Sequence, residues 1–402
     1  MKYLNNCASR WLVSMALGLC CVQVMAQESL RPEVYKSLKA AQDAMAAKQS
    51  TQALEQASQA LALPQLTAFE RLAVLRTLAV AAMGVQSWDV ATAALEELVQ
   101  SRAVPDADKL PMYESLVRVA QQQKDYARLV RHAGTYLQAG GGNPVVRTVM
   151  VQSLLITGQH SQLVAAMQDF LSTDDAKGRK TPEEDLRALA LSQRQLKNDQ
   201  GYHEALWKLL SAYDKPDYWV EYIARVLNTP GFNNRLELDL YRLSEETGHL
   251  EGAGDYIEMA QLALKAGLPA EAVRVVTRGY EKGVLGKGGD ALQHARLRDE
   301  AQKKMREDDA QFAQMEKMAR DGNTLAVLGD VQFSRQNWAA AHEAYNRALQ
   351  LGGLRRESEV RLHNAISLLR TGQKQAARDM LQTVRGDATT MDVARLWGLL
   401  AR

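Results

Sequence analysis

Along most of the chain, apolar residues recur at spacings of three and four, the period of a helix with one buried face. No sustained alternation of period two, rich in β-branched residues and closed by hairpin turns, calls for a strand. The helical stretches are short and paired, and the pairs recur with a period in the mid-thirties. The clearest unit spans residues 325–353. Leu328-Gly329 lies in a first helix, Gln336-Asn337-Trp338 makes a turn, and Ala341, Tyr345 and Ala348 follow in a second helix. The next unit turns at Gly372 and continues through Ala377, Leu381 and Val384. Toward the N-terminus, turns of the same kind are expected at Gly267, Gly201-Tyr202, Gly158, Lys124-Asp125-Tyr126, Ser87-Trp88 and Lys48-Gln49. Each precedes a second helix with small or apolar residues at matching spacing, such as Ala272, Ala205, Leu163, Leu129, Ala91 and Ala53. Phe232 opens a degenerate unit with Leu236, Leu240 and Leu243. Thr181-Pro182-Glu183 and Asn143-Pro144 read as helix starts, and Gly84, Gly248 and Gly353 as helix ends.

Leu328, Gly329, Ala341, Tyr345 and Ala348, with Trp338 at the turn and Gly372 and Ala377 in the following unit, resemble the tetratricopeptide repeat. The alanines let the two helices of a repeat approach closely, and Tyr345 fills the gap toward the next repeat. The resemblance implies an all-α, right-handed α-solenoid of helix-turn-helix repeats. Degenerate repeats are expected over 27–213, central repeats over 214–289, and C-terminal repeats over 322–388. A capping helix over 389–402 would close the open end, as solenoids require. One segment, 290–321, breaks the pattern. It is dense in alternating charge and is expected to form two exposed helices with a turn near Arg306 to Asp309. A solvated face is the plain reading of that segment and a charged docking surface the other.

The first residues stand outside the repeats. Lys2 and Arg10 precede an apolar stretch at 11–24 of roughly 14 residues, short of the ~20 that span a bilayer as a helix. Val24-Met25-Ala26 then fits a signal-peptidase site, so cleavage after Ala26 and export to the periplasm are expected. An uncleaved anchor is the alternative that the length disfavours. Leu19 precedes Cys20, whereas a lipid-modified cysteine follows a small residue, so lipidation is not expected. Cys7, Cys20 and Cys21 all fall in this leader, which leaves the exported chain without a thiol for a disulfide, metal site or nucleophile. Lys2 and Arg10 also carry the formal net charge of +2, and the remaining bases balance the 47 acids. Bulk electrostatics therefore gives no reason to expect nucleic acid or an anionic membrane as partner. No transmembrane segment is expected after the leader.

Candidate chemistry is sparse. His132, His160, His203, His249, His294, His342 and His363 stand singly, with no pair three or four apart. His203-Glu204 and His342-Glu343 begin a zincin-like motif, but Trp207 and Asn346 occupy the position of its second histidine. Gly286-Lys287-Gly288-Gly289-Asp290 lacks phosphate-loop spacing and reads as a turn with Asp290 as helix cap. Catalysis, metal and cofactor are accordingly not expected. Tyr218, Trp219 and Tyr222 form an aromatic cluster at large core positions, where packing is the first reading and ligand contact the second. First helices of such repeats line a concave groove. Glu258, Gln261, Lys265, Asn323, Asp330, His363 and Arg370 are the polar residues expected there for a peptide or protein partner.

Residues 218–402 resemble a narrower group. Tyr218-Trp219 opens a helix, Gly248-His249-Leu250 follows a helix end, and the segment 254–272 comes next. Leu349-Gln350-Leu351-Gly352-Gly353-Leu354 and a closing helix with Trp397 complete the order. This looks like the periplasmic repeat proteins associated with TonB–ExbB–ExbD systems. The resemblance implies a non-enzymatic scaffold in the envelope, accessory to TonB-dependent uptake of iron chelates or similar nutrients. An assembly factor for outer-membrane or cell-wall machinery is the alternative.

Overall fold

The computed structural model describes residues 29–402, so the expected leader and its cysteines lie outside the described residues. All regular elements among the described residues are helical, and they fall into two compact units divided between Gly158 and Gln159. The expected change of character at 213/214 falls inside the second unit.

The first unit contains α1 (Pro32–Ala46), α2 (Ser50–Leu61), α3 (Ala68–Gly84), α4 (Trp88–Gln100), α5 (Asp106–Gln123), α6 (Tyr126–Gln138) and α7 (Pro144–Ile156). Each helix packs on the next, and Leu75, Leu78, Leu95, Leu98 and Leu116 join α3, α4 and α5 in one apolar cluster. Thr67 and Glu70 form a reciprocal cap at the start of α3. The Glu70 carboxylate also accepts from the backbone and guanidinium of Arg31 at 2.9 and 3.0 Å, tying α1 to α3. Arg31, followed by the backbone bond from Thr67, holds Glu70 down at about 2.

The second unit contains α8 (His160–Ala176), α9 (Glu183–Gln195), α10 (Asp199–Tyr213), α11 (Pro216–Leu227), α12 (Glu237–Glu246), α13 (Ala253–Lys265) and α14 (Pro269–Glu281). It continues with α15 (Ala291–Met318), α16 (Gly322–Ser334), α17 (Trp338–Leu351), α18 (Glu357–Arg370), α19 (Lys374–Gln382) and α20 (Ala388–Leu400).

The repeat is visible in its turns. Lys48, Gln86, Lys124, Gly158, Lys197, Gly267, Gln336 and Gly372 all have positive φ, and each lies two residues before the second helix of its pair. In seven of these turns an amide bonds back to the carbonyl five residues earlier, as Gln49 does to Ala44 and Asn337 to Gln332. This is the Schellman closure, which satisfies carbonyls left over at the end of the first helix. The turn expected at Gly201-Tyr202 stands earlier, with Lys197 in the left-handed conformation. Gly201 is instead within the first turn of α10, where an added Cβ would lie 2.5 Å from the Gln193 side chain. Thr181 does not cap α9; its hydroxyl donates to Asp174 at 2.9 Å, and Pro182 takes the cap position.

The small positions of the repeat lie where helices pack closely. Ala341, Tyr345 and Ala348 are fully buried, and Ala272 and Ala377 are too. Leu328 is buried beside Gly329, where a Cβ would fall 2.5 Å from the Tyr345 ring. Trp338 opens α17 and stacks edge-on against Phe333 at 5.0 Å.

The charged segment differs from expectation. Residues 291–318 form one continuous helix of 28 residues, with no turn near Arg306 to Asp309. The physical reason is local: the segment has neither glycine nor proline and is rich in strong helix formers. Lys304 pairs with Glu300 one turn back at 2.8 Å, and Asp308 and Asp309 both meet Arg335 beyond the end of α16. Asp290 precedes this helix without a side-chain capping bond. The N-terminal part of α15 packs on α14, and its far end leads to α16. It therefore replaces a repeat with a long strut, after which the last helices return toward α11 and α12.

Candidate functional site

The helix that receives this return is α12. Its residues Leu236, Leu240 and Leu243, at spacings of four and three around its start and body, are fully buried, while Leu238 joins the cluster of Tyr256, Met259, Val275 and Val276 from α13 and α14. Two charged residues, Asp239 and Arg242, are buried on the same helix. Arg242 grips Glu271 of α14 with a two-pronged bond at 2.9 and 2.6 Å and donates to Asp239 at 2.7 Å. Its guanidinium also lies 4.7 Å from the ring centre of Phe333 on α16. Arg274 reaches the same Glu271 at 3.4 Å and binds Glu245 at 2.7 Å.

His363 of α18 completes the cluster. Its Nε2 lies 3.1 Å from Asp239 and its Nδ1 3.0 Å from Asp330 of α16. A ring with carboxylates at both nitrogens donates from both, so His363 is an imidazolium. Burial alone would favour the neutral ring, but Asp239 and then Asp330 outweigh it and push His363 up to about 10. Burial likewise opposes the charges of Asp239 and Asp330, yet the facing cations hold both below the usual carboxylate range. Asp330 also accepts from the Tyr345 hydroxyl at 2.8 Å and faces Arg356 at 3.7 Å. Buried charge is costly unless each member is paired, and here each is.

A second set of contacts brings the final helix home. Asp392 of α20 lies 2.9 Å from His203 Nε2 of α10 and accepts from the Tyr222 hydroxyl of α11 at 3.1 Å. Arg395 stacks 4.1 Å from the Trp207 ring centre, and Arg402 donates to the Ser211 carbonyl at 2.7 Å. Trp219 and Tyr222 are buried, as the packing reading of the aromatic cluster requires. The C-terminal helices thus close the second unit onto α10, α11 and α12.

The groove residues divide accordingly. Glu258, Gln261 and Lys265 are exposed along α13. Asn323 instead anchors the chain after α17, donating to the Gly353 carbonyl and accepting from the Arg355 amide, both at 3.0 Å. His363, 9 % exposed, and the half-buried Asp330 lie in the internal network. Arg370 binds Glu246 at 2.5 Å and stacks over Trp338. The expectation that Asp330 and His363 line an open groove is therefore corrected, because they face the interior of the same unit, whereas Arg370 stays exposed beside Glu246 and Trp338. Sequence reasoning passed over Asp239, Arg242 and Glu271. The available signal was two opposite charges three apart inside a leucine-rich helix, a poor fit to a solvated face.

Among the described residues no cluster of histidine, cysteine and carboxylates could hold a metal ion, and no helix is long and apolar enough to cross a membrane. No family model and no curated protein matches the sequence. Among solved structures, the chain is similar to the TPR2AB domain of yeast Sti1 in its complex with pHSP90. Identity is 14 %, 67 % of this chain and 98 % of that one are covered, and the TM-score is 0.35. A tetratricopeptide repeat protein from Parabacteroides merdae matches at 10 % identity over 84 % of this chain and 99 % of its own, with a TM-score of 0.33. Yeast Tom70 matches at 11 % identity over 92 % and 95 %, with a TM-score of 0.26.

Proposed function

We propose that the chain is an exported, non-catalytic scaffold that binds envelope proteins and serves a TonB-type energy-transduction system. The observation that carries the scaffold reading is the recurring pair of helices closed by one turn geometry, from Lys48 to Gly372. Such repeats bury apolar faces against neighbours and leave long polar surfaces, the feature repeat proteins use for partners. The exposure of Glu258, Gln261 and Lys265 on α13 supports this reading. The leader-like N-terminus supports export, and the resemblance of residues 218–402 supports the TonB association.

The test is affinity recovery of the tagged chain from envelope extracts under conditions that keep TonB, ExbB and ExbD together, alongside fractionation of the cell. Periplasmic material beginning near Gln27, and recovery of one of those three proteins, are the expected results. Recovery of outer-membrane or cell-wall assembly proteins instead would move the reading to an assembly factor. Retention in the cytoplasm would overturn both.

A further inference from the structure

The far half of α15 carries no buried side chain. Leu297 and Ala301 seat the first half in the apolar cluster of α13 and α14, but from Gln302 to Met318, about 25 Å of helix, every residue is half-buried or exposed. One side of this span is held by Arg335, which meets Asp308 at 3.0 Å, Asp309 at 2.8 Å and the Phe312 ring centre at 4.2 Å. Met305, Phe312 and Met315 are half-buried on that side. The other side turns outward as one stripe of exposed residues, Lys303, Glu307, Ala310, Gln314 and Lys317, at spacings of four and three.

Charge along the span is ordered as well. Lys303, Lys304 and Arg306 come first, and Glu307, Asp308 and Asp309 follow directly. Within the chain these groups are only partly satisfied. Lys304 pairs with Glu300 at 2.8 Å, Lys303 lies 3.9 Å from Glu307, and Arg306 has no ion pair among the described residues. A block of bases followed by a block of acids is complementary to its own reverse. Two such helices laid antiparallel about the boundary between Arg306 and Glu307 set each basic block against the other's acidic block. A parallel pair would set like charge against like, which is unfavourable. Ala310 and Ala313 are small and exposed, so two helix axes can approach closely beside the boundary.

We propose that the outward stripe of α15 is a self-association surface, on which a second copy of this chain docks its own α15 antiparallel. The contact is two-fold, so Arg306 of each copy meets Glu307 of the other, and Lys304 meets Asp309. The occupant is another copy because the charge order of the stripe is matched by the stripe itself. Packed helices cross at an angle, which confines contact to a few turns around the boundary. An area of that size lies at the low end of specific interfaces, so the dimer is weak, and salt weakens it further by screening the charges that hold it. The self-association does not depend on which envelope protein the scaffold binds.

The test is sedimentation velocity of the whole exported chain at about 0.05 M and about 0.5 M salt, between which the Debye length shrinks about threefold. A monomer–dimer equilibrium is expected at low salt, with its dissociation constant rising at least about tenfold at high salt. An acidic variant (Lys303→Glu, Lys304→Glu, Arg306→Glu) and a basic variant (Glu307→Lys, Asp309→Lys) should each be monomeric alone and should form a heterodimer when mixed. Circular dichroism of both checks that α15 remains helical. Single cysteines give a second reading that does not rest on reversed charge. Arg306→Cys should cross-link two chains on mild oxidation, whereas Lys317→Cys should not, because antiparallel pairing sets its two copies about 30 Å apart. A chain that stays monomeric at low salt up to about 200 µM, a free energy of association weaker than about −5 kcal/mol, overturns the proposal. So does a dimer that survives in both charge variants, or cross-linking through Lys317→Cys as readily as through Arg306→Cys.

Discussion

At the scale of single residues, His363 concentrates the argument. It is the only cation reaching both Asp239 and Asp330 through hydrogen bonds of about 3 Å among the described residues. His363→Gln leaves buried carboxylate charge uncompensated and should cost ~3–5 kcal/mol in urea unfolding. The pH dependence has a definite sign. The folded value of about 10 lies above that of an unfolded histidine, near 6.5. The stabilisation is therefore complete below about pH 6.5 and is lost as pH rises through about 10. Asp239 and Asp330 are shifted the other way, so their contribution is complete above roughly pH 4 and fades in acid. The stability difference between the parent chain and His363→Gln should accordingly narrow from neutral pH to pH 10; a constant difference would show that the charge of His363 is not what matters. Gly329 makes a simpler case. Its position 2.5 Å from the Tyr345 ring, measured at the place of a Cβ, predicts a loss of ~1–3 kcal/mol for Gly329→Ala. Of these residues, Gly329 and Tyr345 were legible as a repeat pair, and His363 was found but assigned to the wrong surroundings. A histidine on a helix face reads the same whether water or another helix covers it.

At the scale of elements, the turns and α15 behave oppositely. The turns were readable because each is decided within a few residues: a left-handed position, a backbone closure, then a second helix. Even there, lysine and glutamine take the left-handed position at Lys48, Gln86, Lys124, Lys197 and Gln336, which hides it from a search for glycine. The turn before α10 is hidden in this way, since its left-handed residue is Lys197 and not Gly201. In α15 the paired period of the repeats suggested a break that local propensity does not support. Arg306→Pro separates the two descriptions. In the middle of a continuous helix it should cost ~3 kcal/mol, whereas in an exposed turn it would cost almost nothing. Chemical denaturation with helicity followed at 222 nm reads the difference.

At the scale of the whole molecule, closure of the second unit is the feature that distinguishes this chain from an open stack of repeats. Val393, Leu396 and Trp397 of α20 are buried, and Asp392 joins His203 and Tyr222 across a long stretch of sequence. Removing residues 388–402 should therefore raise amide hydrogen exchange in α11 and α12 as well as in α18 and α19, while α1 to α6 keep their protection. If exchange rises in α18 and α19 alone, α20 is a simple end cap and does not hold the returning helices.

The sequence by itself determined the helical class, the pairing of helices, most turn positions and the small residues at close contacts. These depend on periods of three and four and on bonds spanning a few residues. Tertiary structure decided which polar faces meet water. Asp239 and His363 are 124 residues apart, as the hydrogen bond between them records, and no local pattern specifies that they meet. An amphipathic helix announces its apolar stripe but not what covers its polar flank. That choice was made by a long strut, α15, which carries the last repeats back to α12 and turns an expected groove into a charged interior.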